Sequence, residues 1–160
     1  HAAGPAGPDG VGLPGSGDTV AGAHGISIAV DVALSQVDVE QADLVALPGG
    51  MPGARNLADS PDVRTFVTAV HEKGGIVAAI CAAPIVLHAA GILDGRRATS
   101  YPAFREQLTG VTYVEDRVVR DGNVVTSRGP ATALEFALTL VAALGRKTIA
   151  DGLASAMLVD

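Results

Sequence analysis

An α/β fold with a mostly parallel sheet is predicted for this 160-residue chain by three observations. The apolar runs Leu44–Leu47 and Ile76–Ile80 lack the polar alternation of a one-sided strand. Continuous apolarity marks strands covered on both faces, as parallel strands are. Stretches with helical spacing alternate with these runs, the order of a layered α/β domain. Glycine and proline punctuate the junctions between them.

Residues 1–25 hold eight glycines and three prolines, which disfavours long regular elements; the stretch reads as irregular, with a short strand allowed at Thr19–Ala21. "ISIAV" places Ile26, Ile28 and Val30 on one side of a half-buried strand. Leu44–Leu47 is a strand ended by Pro48-Gly49-Gly50. Ser60 suits an N-cap and Pro61 a first helical position. Val63, Phe66, Val67 and Val70 then form one buried helical stripe. Gly74-Gly75 stops that helix before strand Ile76–Ile80. A helix over Pro84–Ala90, closed by Gly91, leads to a short strand near Ala98–Ser100. Residues Val111–Ser127 read as a hairpin turning at Asp121-Gly122. Helix Thr132–Leu144 is expected to turn Leu134, Leu138, Val141 and Leu144 inward, and a helical turn follows at Ile149–Ala154. No repeat, linker or second domain is visible. The chain is read as one domain, 1–160, whose first 23 residues are irregular.

Composition narrows the function. Hydrophobic residues make up 48% and aromatics 3%, so the core is built from small and branched side chains. No apolar run reaches the ~20 residues of a membrane span, and the first 25 residues lack a signal-peptide pattern. A net charge of -6 with scattered Lys and Arg argues against a nucleic-acid scaffold. One cysteine forms no internal disulfide, so the reducing cytoplasm is the expected compartment. His1, His24, His71 and His88 share no ligand spacing with Cys81, and no metal site is expected.

Cys81 falls where a buried strand passes straight into a helix, beside the small residues Ala79, Ala82 and Ala83. A side chain at such an elbow projects from the carboxyl edge of the sheet, where ligands of open α/β folds bind. Helix N–H groups and the helix dipole lower a thiol pKa there and enrich the thiolate. The serine-hydrolase elbow uses the same geometry. Free cysteine is also among the most buried residue types, and on position alone packing and reactivity are both open. Leu47-Pro48-Gly49-Gly50 ends a second strand, and Gly50 has a backbone N–H free of side-chain obstruction.

Three stretches in order, "ADLVALPGGMPGARNL", "GGIVAAICAAPIVLHAAGILDGRRATSYP" and "DGNVVTSRGPATALEFAL", resemble the ThiJ/PfpI family, nearest the branch of the Parkinson-disease protein deglycase and its bacterial relatives. The resemblance implies a flavodoxin-like three-layer sandwich, a homodimer, and catalysis without a cofactor. It makes Cys81 the nucleophile, which oxidises readily to sulfinic acid, and the Gly50 and Ala82 N–H groups the oxyanion hole. Gly49, Tyr101 and Pro130 are expected to line the pocket. The implied substrates are methylglyoxal, glyoxal and early glycation adducts of proteins and nucleotides; family members also carry redox-linked chaperone activity.

Two features depart from the family. Tyr101 stands where some members have histidine, and a phenol with pKa ~10 is a poor base near neutrality. His88 lies about two helical turns, or ~10 Å, from Cys81. The family also opens with a strand–helix unit carrying a glutamate that bonds the cysteine sulfur. Nothing in "HAAGPAGPDGVGLPGSGDTVAGAHG" matches it, so roughly 30 residues are expected to be missing. Glu135 is expected to bond a loop or a partner chain, Arg128 to form an ion pair or rim, and His24 to lie at the surface. A cofactor-independent glyoxalase or deglycase leads this reading. A non-enzymatic redox-sensing chaperone using Cys81 oxidation is the alternative. A hydrolase with a cysteine–histidine pair fits least, given Tyr101.

Overall fold

The computed structural model describes residues 19–159; residues 1–18 and Asp160 lie outside the described residues. Strand β1 (Thr19–Ala21) pairs antiparallel with β2 (Ser27–Ala29), and His24 sits in the exposed turn between them. The half-buried strand expected around "ISIAV" is instead exposed over β2, with Ile26 70% and Ile28 66% accessible, and only Val30 beyond it is half-buried. Alternation is satisfied by any two-sided environment, and among the described residues β2 pairs only with β1.

The main sheet has the order β3-β4-β8-β7, from β3 (Leu44–Leu47), β4 (Ile76–Ile80), β7 (Val118–Asp121) and β8 (Val124–Ser127). β3, β4 and β8 are parallel, and β7 closes as an antiparallel hairpin. Strands β5 (Arg97–Ala98) and β6 (Thr112–Tyr113) form a small parallel pair beside it, so Thr112–Tyr113 is not part of the β7–β8 hairpin. Side chains of β4 alternate between two cores. Val77 and Ala79 face α1 (Gly53–Asp59), α2 (Pro61–Glu72) and α3 (Pro84–Ala89). Ile76 and Ala78 face Phe136 of α4 (Ala133–Ala143), and α5 (Lys147–Ala156) packs on α4. The three layers are those of a flavodoxin-like sandwich. β3 and β7 are the edges of this sheet, and Ala46 of β3 is exposed rather than covered on both faces.

The helices follow local rules. Ser60 Oγ accepts from Val63 N at 3.4 Å, Pro61 opens α2, and Val63, Val67 and Val70 are buried. Each buried valine contributes about 1.5–3 kcal/mol. Gly74 ends the helix at φ 87°, a conformation that strains other residues. α1 was not foreseen, because Pro52-Gly53 reads as loop. On α4 the expected inward face is displaced. Leu134 and Leu144 are 44% and 42% exposed, while Phe136, Leu140 and Ala143 meet the sheet. A helix that is apolar all round leaves its buried face undetermined by sequence, and the largest ring takes the sheet.

α5 carries Gly152 in its interior, with open space where a Cβ would stand. Gly152→Ala is therefore expected to stabilise the chain by about 0.5–1 kcal/mol, read as a higher urea midpoint.

At the sheet end away from Cys81, Asn123 Nδ2 donates to the carbonyls of His71 (3.1 Å) and Gly75 (2.8 Å). Arg96 reaches Asp121 at 3.7 Å and His71 Nε2 at 3.3 Å, while His71 Nδ1 is buried without a partner. Burial, then the Arg96 guanidinium, holds His71 below the ordinary histidine range against a weaker upward pull from Glu72. A lowered native pKa means the unfolded chain takes the proton first. Stability is then intact above ~6.5 and falls as pH drops through the lowered value. The urea midpoint of His71→Gln is expected to decline less between neutral and mildly acid pH than that of the parent.

Candidate active site

Cys81 stands between β4 and α3 with φ 64°, a left-handed conformation in a residue other than glycine. Its N–H donates to Ser127 O (2.9 Å) at the end of β8, and its carbonyl accepts from Tyr101 N (2.8 Å). Backbone bonds from two neighbouring segments thus fix the elbow. The thiol is free and half-buried. Among the described residues nothing hydrogen-bonds its Sγ.

Gly49, at the end of β3, lies against this elbow. A Cβ there would come within 2.7 Å of both Cys81 Cβ and Ile80 O, and 3.3 Å of Ala82 N. Only a residue without a side chain allows β3 to approach so closely. Gly50 follows at φ 87°, and its carbonyl accepts from Ala54 N (2.9 Å) to start α1. The N–H groups of Gly50 and Ala82 have no acceptor among the described residues.

The remaining wall comes from two later segments. Tyr101 is 46% exposed, and a Cβ on Gly129 would lie 3.6 Å from its ring. Pro130 follows Gly129 as the exposed start of a 3₁₀ turn. Behind Tyr101, Tyr113 Oη donates to Ser100 O (3.0 Å) and Ser100 Oγ to Tyr101 O (3.0 Å). The Arg105 guanidinium lies 5.0 Å from the Tyr113 ring centre, and Arg105 and Arg128 both pair with Glu115. No sequence pattern signals this bracing, because its contacts join side chains up to thirteen positions apart across irregular segments. Gly49, Gly50, Cys81, Ala82 and Tyr101 are thus brought to one edge of the sheet, with Pro130 at its rim.

His88 and Glu135 are engaged elsewhere. His88 Nε2 is 2.9 Å from Thr109 O, and Glu135 accepts from Arg117 at 2.7 Å. Among the described residues no group of His, Cys, Asp and Glu is arranged to hold a metal ion.

The sequence matches the DJ-1/PfpI family over residues 5–143. Protein dj-1beta of Drosophila melanogaster is 41% identical over 145 residues, covering 89% of this chain and 78% of the relative. The crystal structure of Drosophila melanogaster DJ-1beta superposes with a TM-score of 0.84 at 40% identity, covering 90% of this chain and 78% of that one. Glutathione-independent glyoxalase DJR-1.2 of Caenorhabditis elegans is 40% identical over 124 residues, 76% of this chain and 66% of the relative. Deglycase PH1704 of Pyrococcus horikoshii is 39% identical over 115 residues, 71% of this chain and 69% of the relative. The chain spans 36% and 27% of the longer DJ-1 homologs A and B of Arabidopsis thaliana. With most of its length matched, the chain belongs to the DJ-1/PfpI family.

Proposed function

We propose that the protein is a cysteine-dependent, cofactor-independent glyoxalase or deglycase acting on methylglyoxal, glyoxal or their early adducts. The observation that carries this reading is a thiol on a left-handed elbow beside two uncommitted N–H groups. The names of the glyoxalase and deglycase relatives support it. Cys81 adds to the aldehyde carbon of methylglyoxal, forming a C–S bond, and the thiol proton ends on the former carbonyl oxygen. The Gly50 and Ala82 N–H groups hold that oxygen while it carries charge. Moving the hydrogen of the thiol-bearing carbon to the neighbouring ketone carbon, through an enediol, gives a lactoyl thioester. Water then releases lactate and restores the thiol. No external oxidant or reductant is consumed.

Each proton transfer needs a base, and none bonds Sγ among the described residues. The adduct is accordingly expected to form readily while turnover is slow. General acid–base catalysis contributes about 10²–10⁴-fold, so a version carrying an added acidic strand–helix unit is expected to gain on that scale. Lactate release and intact mass, followed together without glutathione, test the reading. Absence of adduct from both versions sinks it, and equal turnover shows that the present chain already supplies the base.

A second reading, a redox-sensing chaperone using Cys81 oxidation, is favoured by that unpartnered sulfur and by exposed apolar surface. Ile149 and Leu153 on α5 and Met157 at its C-terminal cap form an i, i+4, i+8 stripe, each 42–51% exposed. Oxidation-dependent suppression of client aggregation without lactate would select it. The same stripe and Ile26 and Ile28 are surfaces for a homodimer, which light scattering at micromolar concentration decides. No helix of the described residues is long and apolar enough to cross a membrane, and the lone thiol suits a reducing, cytoplasmic setting.

A further inference from the structure

A groove of about 590 Å³ runs between α2 and the two 3₁₀ turns at Leu34–Gln36 and Val39–Gln41. Neither Cys81 nor Gly49 nor Tyr101 lines it, so it is separate from the elbow. One wall is a single helical face: Asp62, Thr65, Phe66 and Ala69 stand at i, i+3, i+4 and i+7, while Val63, Val67 and Val70 turn into the core. The facing wall is apolar, with Ala33, Leu34, Val37 and Val39, and Ser35 stands at its rim. Such a volume, apolar with few polar groups, suits a small molecule.

The polar groups indicate which molecule. Among the described residues Asp62 forms no ion pair, and the Thr65 and Ser35 hydroxyls have no hydrogen-bond partner. Among the described residues no Lys or Arg lines the groove. Asp62 stands in the first turn of α2, whose dipole offsets only about half a charge. The groove therefore presents net negative charge at one end of an apolar trough. We propose that it binds a small apolar ammonium ion, with its hydrocarbon body on Phe66, Ala69 and Leu34 and its cation at Asp62 and Thr65. This site is independent of the chemistry proposed for Cys81.

The test is a titration of the full chain with 2-phenylethylammonium, followed by amide chemical shifts, with phenylacetate as the anionic match. Saturable shifts confined to residues 33–39 and 60–69 are expected, with phenylacetate weaker by about fivefold or more. Asp62→Asn is expected to weaken the ammonium about two- to fivefold. Thr65→Phe, at an exposed position, is expected to fill the trough and abolish binding without disturbing the fold. If that variant misfolds, Asp62→Asn and the phenylacetate comparison still decide. Equal binding of the two ions, indifference to Asp62→Asn, or no saturation through about 10 mM would overturn the proposal. Groove resonances that move with protein concentration alone would give the groove to a second copy of the chain and overturn it equally.

Discussion

Cys81→Ala is expected to abolish the methylglyoxal adduct and to lower lactate production by about 10³-fold or more, the scale on which loss of a covalent nucleophile is felt. The fold should survive, because the thiol is half-buried and its backbone is held by Ser127 O and Tyr101 N, which the substitution leaves in place. Intact mass after brief exposure reads the adduct, and a coupled lactate assay reads turnover. An adduct that persists in Cys81→Ala would assign the aldehyde to lysine or arginine side chains and remove the thiol from the chemistry.

Gly49→Ala is expected to be the most damaging change that leaves every reactive group intact. Its methyl would stand 2.7 Å from Cys81 Cβ and from Ile80 O, the second a backbone atom of the central strand with little freedom to yield. Overpacking of this kind costs about 1–3 kcal/mol. Relief by moving the end of β3 also shifts the Gly50 N–H away from the oxygen it would hold. Displacements near 1 Å reduce rates by about 10²-fold. Gly53→Ala is the matched control, since its Cβ would meet nothing within 4 Å. Urea midpoints and adduct-formation rates on the two variants separate the effects. Equal rates would mean that β3 does not set the elbow's geometry.

The parts of the fold that were legible are those where one environment fits one pattern. Ile76–Ile80 is apolar throughout because it lies between helices on both faces, and the glycines before it admit only one start. Pro61 after Ser60 marked α2 to the residue. Where patterns fit several environments, reading failed. The alternation in "ISIAV" does not say what covers it, and nothing among the described residues does. The face of α4 was misassigned because Ala, Leu, Phe and Val occur all round the helix. The elbow at Cys81 was legible because strand, cysteine and proline follow so closely that only a sharp turn connects them. That Ser127 and Tyr101 clamp this elbow was not legible, since both bonds are made by backbone atoms from segments distant in sequence.

The φ of 64° at Cys81 also bears on which residues the position tolerates. A side chain held in the left-handed region costs about 1–2 kcal/mol that glycine does not incur. Cys81→Gly is therefore expected to exceed Cys81→Ala in stability by about 1 kcal/mol, measured as the difference in urea midpoints. Foldability and reactivity pull in opposite directions at this one residue. Selection for heat resistance alone would drive the thiol out, and a population of variants kept for stability would lose its cysteine while keeping its architecture.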